Sequence, residues 1–271
     1  MKKCVIIGAA GIQNYERLKT YLSSEDFYIF CDGGLAHQEA LGVVPNLIVG
    51  DFDSWKGDFP AVGEQSFGLP EAELPPVDLL PAEKKELCSQ KQPVVGTGND
   101  IPKNSSQEKI IRLPTEKDDT DLFYAAKYAL NQGFTDFLIL GAIGQRFDHS
   151  LCNISLLFYI FQKGRKALIV DDYAEMQIIG QVISQHNEGH PQEDNNSKKN
   201  ITGHVSDTFS FFSLMCVSGR ADGVTIKNAK YPLLDATIQP EWQYAVSNQV
   251  LPGQTAEITV KSGQLLLIKD F

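Results

Sequence analysis

Short apolar runs alternate with polar, turn-rich stretches through the first 170 residues. The runs fall at residues 4–7, 27–30, 47–49, 110–113, 137–140 and 167–170. Continuous apolar runs of this length predict strands covered on both faces, as in a parallel sheet. Between two of them the period becomes helical. Leu122, Ala125, Ala126, Ala129 and Leu130 form one face of an amphipathic helix, and Asn131-Gln132-Gly133 supplies the stop. Residues 151–161 are apolar nearly all round, the mark of a buried helix ending at Lys163-Gly164. From about residue 172 the helical pattern disappears. Residues 176–183, 205–217, 223–227, 236–238, 257–261 and 265–268 predict short strands separated by turn residues. The expected fold is α/β: an N-terminal catalytic-type domain over 1–170 with a mostly parallel sheet, then a C-terminal all-β sandwich domain over 171–271. Two stretches look like insertions, about 55–109 with most of the prolines and about 185–200 with mixed polar residues.

Composition narrows the setting. The chain has 271 residues, 42% of them hydrophobic, which supports one large or two smaller cores. Its 24 basic against 34 acidic residues leave a net charge of −10, so a general nucleic-acid surface is not expected. No apolar run is long enough to span a bilayer. The run after Met1-Lys2-Lys3 breaks at Gly11 without a cleavage pattern, so no signal peptide is expected. Cys4, Cys31, Cys88, Cys152 and Cys216 are odd in number and far apart, which fits reduced thiols in a cytoplasm.

The chemistry lies directly after the apolar runs. Gly8-Ala9-Ala10-Gly11, Cys31-Asp32-Gly33-Gly34, Gly50-Asp51-Phe52-Asp53-Ser54, the acidic stretch from Glu116 to Asp121, and Gly141-Ala142-Ile143-Gly144-Gln145-Arg146-Phe147-Asp148-His149 each follow one. In a parallel sheet these segments leave the same carboxyl edge, where open α/β folds bind ligands. Each alone has an ordinary explanation, Asp-Gly-Gly as a turn and Thr-Asp as a helix cap. Together they predict a site. Two carboxylates about 4 Å apart repel by roughly 1 kcal/mol in water and about 4 kcal/mol at an effective dielectric of 20. A cluster of Asp51, Asp53, Asp118, Asp121 and Asp148 therefore requires a cation or a proton. All-oxygen ligands favour Mg²⁺ or Ca²⁺, and with glycine turns and Arg146 nearby the reading is phosphoryl or pyrophosphoryl transfer. The Walker A spacing is absent, so the site is not a P-loop.

The blocks Cys31-Asp-Gly-Gly34, PNLIVGDFDS over 45–54, Asp118-Asp-Thr-Asp121 and Gly144-Gln-Arg-Phe-Asp-His149 resemble the signature blocks of thiamine pyrophosphokinases. The C-terminal half is similar to their thiamine-binding β domain at Ser218-Gly219, Gly223, Tyr231-Pro232-Leu233, Ser247-Asn248 and Gly263-Gln-Leu-Leu266. The resemblance implies a homodimer that transfers pyrophosphate from ATP to thiamine and releases AMP, with Mg²⁺ as cofactor. It also implies residue roles. Asp51, Asp53 and Asp148 would hold Mg²⁺, Asp118 would support that cluster, and Asp121 would face the cationic thiamine. Arg146 would neutralise the transferring group. Asp32, Gly33, Gly34, Ser54, Gly144 and His149 would border the nucleotide. Ser247 and Asn248 would complete the thiamine pocket across the dimer interface, and Trp242 is the candidate aromatic face for the cationic ring.

Three positions depart from the family pattern. Glu116 stands where Asp is usual, Lys117 adds positive charge beside the expected thiamine site, and Gln145 replaces a glycine before the arginine. The sequence His186-Asn-Glu-Gly-His190 imitates a zinc motif, but Gly189 and Pro191 argue for a loop rather than the helix that motif needs. Two rival functions are a diphosphokinase for another alcohol such as a hydroxymethylpterin, and a non-catalytic thiamine or nucleotide sensor.

Overall fold

Alternate residues of the apolar runs go to opposite faces of one sheet. A computed structural model describes residues 3–52, 109–182, 200–217 and 219–271. Asp53, Ser54, Cys88, His186, His190, Ser218 and nearly all of both expected insertions lie outside the described residues. The runs become strands β1 (Lys3–Ile7), β2 (Phe27–Cys31), β3 (Leu47–Gly50), β4 (Lys109–Arg112), β5 (Asp136–Leu140) and β6 (Lys166–Val170). They pair in parallel in the order β6-β5-β1-β2-β3-β4. Among the described residues the intervening segments form four helices, α1 (Tyr15–Lys19), α2 (Gln38–Leu41), α3 (Asp121–Asn131) and α4 (Phe147–Gln162), with a 3-10 turn over Asp32–His37 leading into α2.

The two faces carry separate cores. Cys4, Ile6, Ile29 and Ile139 pack with Ala125, Ala126 and Ala129 of α3 and Leu156, Leu157 and Ile160 of α4. Val5, Ile7, Phe30 and Leu140 pack with Leu18 of α1 and Leu35 and Leu41 on the opposite face. Each Val, Leu, Ile or Phe side chain among them, fully buried, contributes roughly 1.5–3 kcal/mol. Two-sided burial is the physical reason the runs read as continuous rather than alternating.

The C-terminal half divides between two sheets. Strands β7 (Ala174–Gln181), β10 (Phe211–Met215) and β14 (Gln264–Asp270) extend the large sheet antiparallel beyond β6, with β8 (Asn200–Ile201) beside β7. Strands β9 (Gly203–Ser206), β11 (Ala221–Lys227), β12 (Leu233–Ile238) and β13 (Thr255–Thr259) form a second, antiparallel sheet in the order β12-β11-β13-β9. Ile179, Phe212, Leu214, Leu265 and Leu267 of the first sheet meet Val205, Val224, Ile226 and Ile258 of the second in one core. The sandwich therefore borrows one layer from the sheet that carries the α/β half. The run 205–217, expected as one strand, is two strands: the chain turns over 207–210 and β9 and β10 enter different sheets. Among the described residues no helix is long and apolar enough to cross a membrane.

One buried polar group ties these elements at the carboxyl edge. His37 donates from Nε2 to the Ala10 carbonyl (3.0 Å) and accepts at Nδ1 from the Tyr15 hydroxyl (2.8 Å). Burial lowers its pKa from 6.5, partly offset by the Ala10 carbonyl. A histidine depressed in the folded state contributes stability in full above its unfolded value and loses it as pH falls toward the folded one. Urea unfolding should therefore show stability declining below about pH 6.5, and His37→Gln should flatten that decline. Identical pH profiles for the two proteins would refute the assignment.

Candidate functional site

Parallel pairing delivers the ends of β1 to β5 to one edge, with the switch point between the neighbours β1 and β5, whose onward connections to β2 and β6 run in opposite directions. A cleft of about 1130 Å³ opens there. Its wall includes Ala9 to Gln13, Asp32, Asp51, Lys117 to Leu122, Gly141 to Arg146, His149 and Asp171 to Tyr173. The sheet thus brings together Asp32, Asp51, Asp118, Asp121, Gly144, Arg146 and His149 of the residues expected from sequence. Phe52 explains how Asp51 is aimed. Its side chain is buried in the core on one face of the sheet, and its backbone is left-handed (φ 60°). Asp32 ends β2 in a similar left-handed conformation (φ 41°). Such backbone strain concentrates at functional edges.

A Cβ on Gly141 would run into the Gly8 carbonyl oxygen, and one on Gly34 into that of Ile7. These residues let neighbouring loops stack backbone on backbone. Gly33 and Gly34 follow Asp32 in the 3-10 turn after β2. Gly11 is the open one, with no atom within 4 Å of a Cβ placed there.

Lys117 resolves the charge conflict. Its ammonium lies 2.6 Å from Asp51 Oδ2 and 2.8 Å from Asp121 Oδ1, with side chains only 11, 11 and 20% exposed respectively. Burial alone would lower the Lys117 pKa; its contacts with Asp121 and Asp51 outweigh this and hold it above its ordinary value. Asp121 is raised, first by burial and then by the charges of Asp51 and Asp32, against the lowering pull of Lys117. Asp121 starts α3, whose cap Thr120 accepts from the Phe123 N–H (3.3 Å). Asp119 is drawn to Lys127 on the same helix (3.0 Å).

Of the expected triad of Asp51, Asp53 and Asp148, Asp53 lies outside the described residues. Asp148 lies in the first turn of α4, and its carboxylate takes the Arg146 guanidinium at 2.6 Å, both side chains well exposed at 63 and 70%. That contact, first among the causes, lowers the Asp148 pKa. The oxygen donors at the cleft suit a hard cation such as Mg²⁺ in kind. Among the described residues no three His, Cys, Asp or Glu side chains are grouped to hold a metal ion. Lys117 stands where the excess negative charge needs compensation.

The C-terminal residues lie away from this cleft. Asn248 is buried, and its amide accepts from the Tyr231 N–H (3.0 Å) and donates to the Tyr231 carbonyl (2.8 Å). It holds two loops together. Ser247 has a left-handed backbone (φ 57°) and donates its N–H to Ser213 Oγ (3.0 Å). Trp242 is half exposed beside Tyr244, ring centroids 6.2 Å apart. Other positioning residues were not anticipated. Asn153 donates to the Ala142 carbonyl (2.7 Å), and Ser150 accepts from the Gly144 N–H (3.1 Å) and donates to the Arg146 carbonyl (3.1 Å), so α4 fixes the loop after β5. The signal was available: Asn153 is an amide inside an otherwise apolar helix.

The sequence profile of the thiamin pyrophosphokinase catalytic domain matches residues 99–169, and that of the thiamin pyrophosphokinase vitamin B1 binding domain matches 201–265. The chain belongs to the thiamin pyrophosphokinase family. It is a transferase of thiamine diphosphate biosynthesis, with both of the family's domains in one chain. The fold agrees. It is similar to the thiamine pyrophosphokinase of Bacillus subtilis (21% identity, 99% of each chain, TM-score 0.65). It is also similar to those of Geobacillus thermodenitrificans (20%, 99% of this chain and 97% of that one, 0.62) and Candida albicans (14%, 100% and 89%, 0.60). Comparison with curated proteins finds no matching sequence. The catalytic-domain match includes Lys117, Asp118, Asp121, Arg146 and Asp148, whereas Asp32 and Asp51 precede it.

Within this family site, Lys117 should have a measurable structural share. Lys117→Met leaves Asp51 and Asp121 facing each other. Breaking a buried ion pair costs about 3–5 kcal/mol, and access of water from the cleft reduces this to about 2–3 kcal/mol. Urea unfolding would read the loss; unchanged stability would refute the bridging role.

Proposed function

We propose that the cleft transfers the pyrophosphoryl group of ATP to the hydroxyethyl oxygen of thiamine, giving thiamine diphosphate and AMP. The observation that carries this reading is the layout of charge around one cleft. Asp51, Asp121 and Lys117 stand on one wall and Arg146 at the mouth of α4 on the other, with the open Gly11 loop between. Such a layout suits a polyphosphate flanked by a cationic acceptor. The thiamine hydroxyl attacks the β-phosphorus in line and gives its proton to a carboxylate of the cleft, the bond from the β-phosphorus to the oxygen it shares with the α-phosphate breaks, and AMP leaves with that oxygen. Arg146 neutralises the transferring group, and the N-terminus of α4 adds its partial positive charge. Lys117 turns from Asp121 toward phosphate, which frees Asp121 for the thiazolium charge. Positioning in the cleft supplies much of the remaining acceleration.

Mg²⁺ completes the reading. Asp51 together with Asp53 would hold it, and when bound it supplies Lewis-acid stabilisation of the phosphate oxygens. The odd number and wide spacing of Cys4, Cys31, Cys88, Cys152 and Cys216 support a cytoplasmic setting. Incubation with ATP, Mg²⁺ and thiamine should yield AMP and thiamine diphosphate, and Asp51→Asn should lower turnover by about a hundredfold or more while the protein stays folded. ADP as product, or indifference to Asp51→Asn, would overturn the reading.

A homodimer is the second part of the proposal. Tyr231, Leu234, Trp242, Tyr244 and Val246 leave apolar surface open on the C-terminal half, Leu234 at 86% exposure. Exposed apolar surface of this kind favours a protein partner, and the resemblance implies a second copy. Light scattering should give the mass of two chains, and Leu234→Glu with Trp242→Glu should shift it toward one. A wild-type monomer would end that part of the proposal.

A further inference from the structure

We propose that Tyr173 is the stacking face for the nucleobase of the nucleotide substrate. The inference rests on the pyrophosphoryl-transfer reading and adds to it a binding residue that neither the sequence pattern nor the family domains single out. The cleft is polarised along the sheet edge. Asp51, Lys117 and Asp121 lie at the end beyond β3 and β4, and Asp171, Asp172 and Tyr173 lie at the other end, beyond β6. Four inter-strand steps separate β3 from β6, or roughly 19 Å at about 4.8 Å each. The charged end suits the cationic acceptor and the reacting phosphates. The open Gly11 loop after β1 lies between, so an extended nucleotide places its base at the β6 end.

Tyr173 is built for that position. Among the described residues it is the one Phe, Tyr or Trp on the cleft wall, and it is 68% exposed. Its backbone is nevertheless fixed on both sides. Asp171 Oδ1 accepts from the Tyr173 and Ala174 N–H groups (2.7 Å each), and the Tyr173 carbonyl accepts from the Phe271 N–H (2.9 Å). The neighbouring Asp172 docks the same turn onto the loop after β1. Its carboxylate accepts from the Gln13 and Asn14 N–H groups (2.9 and 2.7 Å), and its carbonyl accepts from the Arg17 guanidinium (2.8 Å). These two carboxylates are engaged by backbone donors, so they build a platform and not a charge cluster. A free aromatic ring on a fixed backbone, facing a cleft, is a preorganised stacking surface.

Binding of AMP without any divalent ion tests this, by calorimetry on the full chain. Tyr173→Ala should weaken AMP binding roughly ten- to a hundredfold, Tyr173→Phe should bind like wild type, and the KM for thiamine should stay unchanged in both. Thermal melting checks that the variants fold. If Tyr173→Ala does not, Tyr173→Leu replaces it, keeping apolar bulk without a π face, and should show the same loss. A folded Ala or Leu variant that binds AMP as tightly as wild type overturns the proposal, and wild-type turnover to thiamine diphosphate then leaves the proposed reaction standing. A wild type that neither binds AMP nor makes thiamine diphosphate overturns both.

Discussion

Asp51 and Asp121 can share one wall because the Lys117 ammonium lies between them, 2.6 and 2.8 Å away. The parallel sheet makes the meeting unavoidable, since β3 ends at Asp51 and the segment after β4 returns to the same edge to start α3 at Asp121. Without a positive group the two carboxylates would oppose the architecture that brings them together. A tethered cation offsets the repulsion between them while the cleft awaits its ligands. The lysine that looked in sequence like a misplaced charge beside a cationic substrate is the group that makes the acidic edge tenable.

A second constraint acts on the backbone. The loops after β1, β2 and β5 are stacked so closely that Gly8, Gly34 and Gly141 leave no room for a Cβ against neighbouring backbone. This tight stacking sets how near the loop after β5 comes to the loop after β1. It therefore fixes where Arg146 can stand relative to Asp51. Asn153 and Ser150 hold the same loop from the helix side. The cleft is defined by backbone contacts first and by its charged side chains second.

What was legible in the sequence follows the range of the forces involved. The six parallel strands were readable because two-sided burial writes a continuous apolar run. The amphipathic α3 was readable because one face of it meets the sheet. The break at 207–210 was not, since the choice of β9 and β10 to join different sheets depends on partners distant in sequence. Likewise Asp51, Lys117 and Asp121 could be placed at one edge by topology, but not the direction in which Lys117 points. For Asp148 and Asn248 it was the partners that could not be read, the Arg146 guanidinium and the Tyr231 backbone, because only packing reveals them.

The continuity of the large sheet carries one consequence for the acceptor. Strand β7 pairs with β6, and Ile178 of β7 and Leu266 of β14 lie in the same buried cluster as α3 and α4. Glu175 of β7 is ion-paired with Lys269 and accepts from the Tyr21 hydroxyl (2.5 Å), and Arg17 lies over the Phe271 ring at 4.1 Å. Opening a hinge between the halves would break this shared core and leave a buried charge pair exposed to separation, at a cost of several kcal/mol. Trp242 and Ser247 are therefore not free to swing into their own chain's cleft.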